Sequence, residues 1–339
     1  MRTRRRDTRA AWRWARLLGG GGILAVVVWR FGVGPFVDAL RLVDASALAA
    51  AAGIAALTTV CCAWRWSVIA RGLGVGVPMR AAVPAYYRSQ FLNTTLPGGV
   101  LGDVHRAVRH GREVGDRGLA LRAVAWERSA GQVVQVGLTM TLLLLLPSPV
   151  RSAMPVVATA TVALGLGVVL VVSALPRAGS SRWGRTVRTV TADLRGGLLT
   201  PTAWPRIAVA SAVVVGGHAA TFLIAARAAG ATAPPARMLP LALLVLLAMG
   251  VPANVAGWGP REGAAAWVFS SAGFGAAQGV VTAVVYGVLV LVASLPGAVV
   301  LGAAWLRRGA PREARAEGRA APPSSWIASP VGLDGARGD

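Results

Sequence analysis

Arg106 and Arg261 each close the same pattern, P-x-x-V-x-G-x-x-x-R. The first copy runs from Pro97 through Gly98, Gly99, Val100, Gly102 and Asp103 to Arg106. The second runs from Pro252 through Val255, Gly257, Gly259 and Pro260 to Arg261. A guanidinium is a permanent cation whose forked donors match a phosphate. A helix beginning just after a Pro-Gly break adds unpaired N–H groups and the positive end of its dipole, both attractive to an anion. Asp103 and Glu262 are placed to orient the two arginines, and Glu127 and Arg128 follow near the start of a long apolar run. The candidate binding set for an anionic headgroup is Arg88, Asn93, Pro97, Gly98, Gly102, Asp103, Arg106, Glu127, Arg128, Gly257, Arg261 and Glu262. Plainer readings stand beside it. Arg106 fits a charge flanking a span, Glu127–Arg128 a structural ion pair, and His218 a hydrogen bond between helices.

Such residues need a membrane frame, and the composition supplies one. Of 339 residues, 55% are hydrophobic and 14% charged, with a mean hydropathy of +0.59. Soluble domains carry about 25% charged residues, so this chain has too few to coat a soluble surface. Six segments read as full spans: Leu17–Gly34, Ala45–Trp64, Leu119–Leu146, Met154–Leu175, Arg206–Ala226 and Gly279–Leu306. Two more, Ala81–Gly102 and Met238–Gly263, are apolar but broken by Pro and Gly. Broken backbone at membrane depth survives only when buried in protein or lining a cavity.

The net charge is +22, and all 35 basic residues are arginine. They gather in short segments between apolar runs, the pattern of cytoplasmic loops beside anionic lipid rather than of a nucleic-acid binder. The basic arm 1–16 and the polar tail 307–339, read as disordered, both belong in the cytoplasm, which places a multi-pass protein in the cell membrane. The basic segments on either side of Ala81–Gly102 both suit the inside if that stretch is a re-entrant hairpin. Arg182, Arg185 and Arg188, with Trp183, Val187 and Val190, predict a short helix at the lipid surface. The expected fold is an all-α membrane helix bundle of about six spans and two re-entrant hairpins. Its halves, about 17–150 and 151–306, form an inverted repeat of the kind many transporters use. Cys61 and Cys62 read as small apolar residues, and His105, His110 and His218 form no ligand cluster. No metal, cofactor, nucleotide loop or catalytic domain is expected.

The stretches Phe91–Ala107 (FLNTTLPGGVLGDVHRA), Trp126–Gln132 (WERSAGQ) and Pro252–Phe269 (PANVAGWGPREGAAAWVF) resemble the transmembrane region of lysylphosphatidylglycerol synthases, also called the flippase-like domain. The resemblance covers residues from about 15 to 306. It implies a flippase-like domain over 17–306 that moves a lipid between leaflets, without the separate soluble domain that makes the aminoacylated lipid in full-length synthases. An anionic phospholipid and a polyprenyl-phosphate lipid both stay open as substrate, with a lipid synthase or glycosyltransferase, or a second copy of the chain, as protein partner. Members often carry Asp shortly after the Glu-Arg pair, where this chain departs from the family pattern with Ala130 and Gly131. Two other functions remain: a non-transporting accessory subunit of a lipid pathway, and an intramembrane transferase using Asp103, His105 and Glu262.

Overall fold

A computed structural model describes residues 41–96, 99–146, 159, 182–250 and 260–309, and these hold helices and no strands. Helix α1 (Ala45–Gly72) begins at Asp44, whose carboxylate accepts the Ala47 N–H at 2.7 Å. That bond holds the Asp44 carboxyl below its ordinary range. Helix α2 (Met79–Thr95) follows Pro78, and α3 (Leu101–Val114) ends on Gly115, left-handed at φ 81°. Helix α4 (Arg117–Leu145) is capped by Asp116, which accepts the Leu119 N–H at 2.8 Å. Helix α5 (Arg182–Asp193) runs into a π-helical turn over Leu194–Leu198. Then come α6 (Trp204–Ala228), α7 (Pro235–Ala248), α8 (Pro260–Ser271) and α9 (Ala276–Gly309).

Among the described residues three helices are long and apolar enough to cross a membrane: Ala45–Gly72, Trp204–Ala228 and Ala276–Leu306. Composition ends the first of these at Trp64, yet α1 continues to Gly72. Arg65 is therefore a helical, inward-facing residue rather than the start of a loop. Helix α4 has 29 residues, about 43 Å at 1.5 Å each, but carries Arg117, Arg122, Glu127 and Arg128 in its first half. Helices α3, α7 and α8, at 14, 14 and 12 residues, are too short for a hydrocarbon core of about 30 Å. The expected span Leu17–Gly34 lies outside the described residues, as do Met154–Leu175 apart from residue 159, Pro97, Gly98, Gly257, the arm 1–16 and the tail beyond 309.

The element order repeats. Moved forward by the 155 residues between Arg106 and Arg261, the starts of α1 to α4 fall one to four residues before the starts of α6 to α9. One packed centre is built in the first half and another mainly in the second, the latter also taking in Val43 and Ala51. Trp66, Tyr86 and Val124 belong to the first. Phe222, Phe269 and Tyr286 anchor the second, with Phe222 and Tyr286 ring centroids 5.6 Å apart. Lipid offers apolar side chains the same transfer environment as the protein, so close packing and polar contacts must hold the helices together. Small residues permit it. A Cβ on Gly217 of α6 would lie 2.5 Å from Thr58 Cγ2 of α1, and one on Gly102 of α3 would run into the Ser89 carbonyl of α2. Residues through Val300 form one compact unit and those from Leu301 a second; every residue of the site described below belongs to the first.

Candidate functional site

Glu127 and Arg128 are neighbours on α4, so their side chains leave the helix about 100° apart. They do not pair with each other. Glu127, fully buried, accepts Arg65 Nε at 3.0 Å and Nη2 at 2.5 Å on one oxygen, and Arg106 Nη2 at 2.9 Å on the other. The Tyr86 hydroxyl donates to it as well, at 3.1 Å. Arg128 turns the other way and grips Asp103, with Nε 2.7 Å from Oδ2 and Nη2 on the same oxygen. Asp103 also accepts Arg106 Nη2 at 3.0 Å, Ser89 Oγ at 2.9 Å and Asn93 Nδ2 at 2.9 Å. Three guanidiniums therefore share two carboxylates, leaving one positive charge inside the bundle. Unpaired, each buried ion would cost several kcal/mol, so Arg65, Arg106, Glu127 and Asp103 depend on one another, while the half-exposed Arg128 depends on them least.

Arg106 is sealed. Its guanidinium carbon lies 4.5 Å from the Trp66 ring centroid and 4.2 Å from that of Tyr86. Among the described residues its Nε and Nη1 have no hydrogen-bond acceptor, and the two aromatic faces take their place. The start of α3 is also filled from within. Asn93 Oδ1 accepts the Gly102 N–H at 2.8 Å, and Asp103 puts a carboxylate in the first turn. The attraction of that helix end for an anion is met by the chain's own acid.

Beside this network lies a cavity of about 300 Å³. Arg65, Arg128 and Arg261 reach its wall, among Gln90, Gln132 and Gln135. Arg128 has a side chain 45% exposed, and its Nη1 carries no hydrogen bond among the described residues. Gly131, one turn on from Glu127, also lines the cavity. A Cβ there would sit 2.9 Å from Arg65 Nη2. Arg65 Nη1 reaches Ser211 Oγ of α6 at 2.9 Å, and Gln135 Nε2 reaches the Leu246 carbonyl of α7 at 3.0 Å. The cavity is thus walled by both halves.

The second motif brings Arg261 there by a different route. It pairs with Glu262, Nε to Oε1 at 2.8 Å, and its guanidinium carbon lies 5.8 Å from the Tyr286 ring. Gly287 of α9 makes the room, because a Cβ at that position would overlap the guanidinium. Tyr286 in turn meets His218 Nδ1 at 3.0 Å, so His218 forms a hydrogen bond between α6 and α9.

Of the expected set, Asn93, Arg128 and Arg261 reach the cavity wall, while Asp103, Arg106 and Glu127 form the network behind it. Arg88 is buried in α2, Glu262 is the partner of Arg261, and Gly102 is the close contact between α2 and α3. Arg65, Tyr86, Gln132, Gln135 and Ser211 were absent from that set. A signal existed: Arg128, Gln132 and Gln135 stand at i, i+4 and i+7, a polar stripe that runs on into the apolar second half of α4. Among the described residues no three metal-ligating side chains gather, and no catalytic domain is identified.

No curated protein and no solved structure matches the chain. The family model described as lysylphosphatidylglycerol synthase TM region matches residues 13–297. With its apolar helices, that match makes this a multi-pass membrane protein, and the chain belongs to the lysylphosphatidylglycerol synthase transmembrane-region family.

Proposed function

We propose that the protein moves a lipid between the leaflets of the cell membrane, its headgroup passing through the cavity between the two halves. The observation that carries this reading is the cavity wall itself: arginines and amides enclosed among apolar helices. Polar side chains at membrane depth are expensive and are kept where something polar passes or binds. The volume, about 300 Å³, lies at the bottom of the usual ligand-pocket range of roughly 300–1,000 Å³. It suits a headgroup whose acyl tails remain in the bilayer. The repeated element order supports the reading, since transporters commonly bind substrate where two repeats meet. The basic arm and tail keep both termini in the cytoplasm, beside an enzyme that would supply the lipid.

The test is leaflet exchange. Full-length protein reconstituted in liposomes with fluorescent phosphatidylglycerol is expected to speed loss of signal after the outer leaflet is quenched. A rate equal to that of protein-free liposomes contradicts the reading.

A further inference from the structure

We infer that the cavity takes an anionic lipid headgroup, a phosphate carrying neutral hydroxyls, and rejects one that bears a cationic aminoacyl group. This deepens the translocator reading and rests on it. The argument is a census of carboxylates. Between residues 41 and 309 the chain has seven: Asp44, Asp103, Glu113, Asp116, Glu127, Asp193 and Glu262. Every one is engaged within the protein. Asp44 and Asp116 cap helices. Glu113 pairs with Arg109, and Asp193 with Arg122 and Trp126. Glu262 pairs with Arg261, while Asp103 and Glu127 are shared among three arginines.

None of the seven reaches the cavity wall, whose charged side chains among the described residues are Arg65, Arg128 and Arg261. The segments between 41 and 309 that lie outside the described residues contain no Asp or Glu at all. Among the described residues, an ammonium entering the cavity would meet like charge and no counter-ion, an arrangement that builds discrimination by repulsion. Its other natural seat, an aromatic face, is also taken at Tyr86, where Arg106 already stacks. A phosphate meets the opposite: the bare Nη1 of Arg128 and the surplus positive charge of the network. Gln90, Gln132 and Gln135 offer amide donors and acceptors suited to hydroxyl groups.

The experiment has a binding arm and a transport arm. Detergent-solubilised full-length protein is titrated with short-chain phosphatidylglycerol, a short polyprenyl-phosphate sugar, lysyl-phosphatidylglycerol and phosphatidylcholine. At least one of the two anionic lipids is expected to bind about ten-fold tighter than the lysyl lipid; which one binds identifies the source of the phosphate. Arg128→Gln is expected to erase most of that preference. Gln132→Glu, which adds a carboxylate to the wall and leaves the ion network intact, is expected to strengthen lysyl-lipid binding. Equal or tighter binding of the lysyl lipid by the unmodified protein overturns the inference. The same lipids in the leaflet-exchange assay separate the two claims. Anionic preference in binding without exchange of any lipid upholds the headgroup assignment and defeats the translocator reading, whereas fastest exchange of the lysyl lipid defeats the headgroup assignment alone.

Discussion

Glu127 holds side chains from three other helices: Arg65 of α1, Tyr86 of α2 and Arg106 of α3. Glu127→Gln would leave Arg65 and Arg106 facing each other with a single shared carboxylate nearby, Asp103. Removing one partner of a buried pair costs about 3–5 kcal/mol. Thermal unfolding in detergent, read by tryptophan fluorescence, is expected to fall sharply for this variant. Arg128→Gln behaves differently. Its side chain is 45% exposed to the cavity, so its pairing with Asp103 is screened and worth at most about 1 kcal/mol. That variant is expected to keep nearly normal unfolding and to lose lipid exchange. The contrast shows what one sequence can disclose at this scale. Arg106 and Arg261 share a motif, and the motif marks both breaks. Whether such an arginine faces a cavity or is sealed depends on Trp66, Tyr86 and Glu127, which come from three different helices and leave no trace near Arg106 in the chain.

At the scale of elements, glycines set how closely helices approach. Gly217 lies under Thr58 of α1, whereas its neighbour Gly216 faces open space. Gly217→Ala is expected to push α1 and α6 apart and lower the unfolding temperature. Gly216→Ala is expected to leave it unchanged or raise stability by up to about 1 kcal/mol, since Ala is the better helix former. Equal effects of the two would mean that α1 and α6 do not pack through this face. The start of α1 offers a pH test. Asp44 has its pKa lowered by the Ala47 N–H, so its contribution is present above its unfolded pKa and is lost as pH falls through the lowered native value. Asp44→Ala is expected to lower the unfolding temperature at neutral pH, with the gap from the unmodified protein closing in strong acid. Element types were legible because Pro and Gly punctuate the breaks and apolar runs mark the long helices. The ends were less so: Arg65 looks like the edge of a loop until Glu127 is known to receive it.

At the scale of the whole molecule, two halves with the same helix order enclose a space that neither lines alone. Arg65, Gln90, Gln132 and Gln135 come from the first half, Ser211, His218 and Arg261 from the second. The central claim is that a lipid headgroup enters this space rather than passing along the outer surface. Photocrosslinking tests it most directly, with a phospholipid carrying a photoreactive group on its headgroup, the protein in liposomes, and labelled residues mapped by mass spectrometry. Labelling is expected at Gln90, Gln132 and Gln135, and is expected to fall in Arg128→Gln. Labelling confined to outward residues such as Val133, Leu145 and Val209, which are 71%, 71% and 58% exposed, would contradict the account.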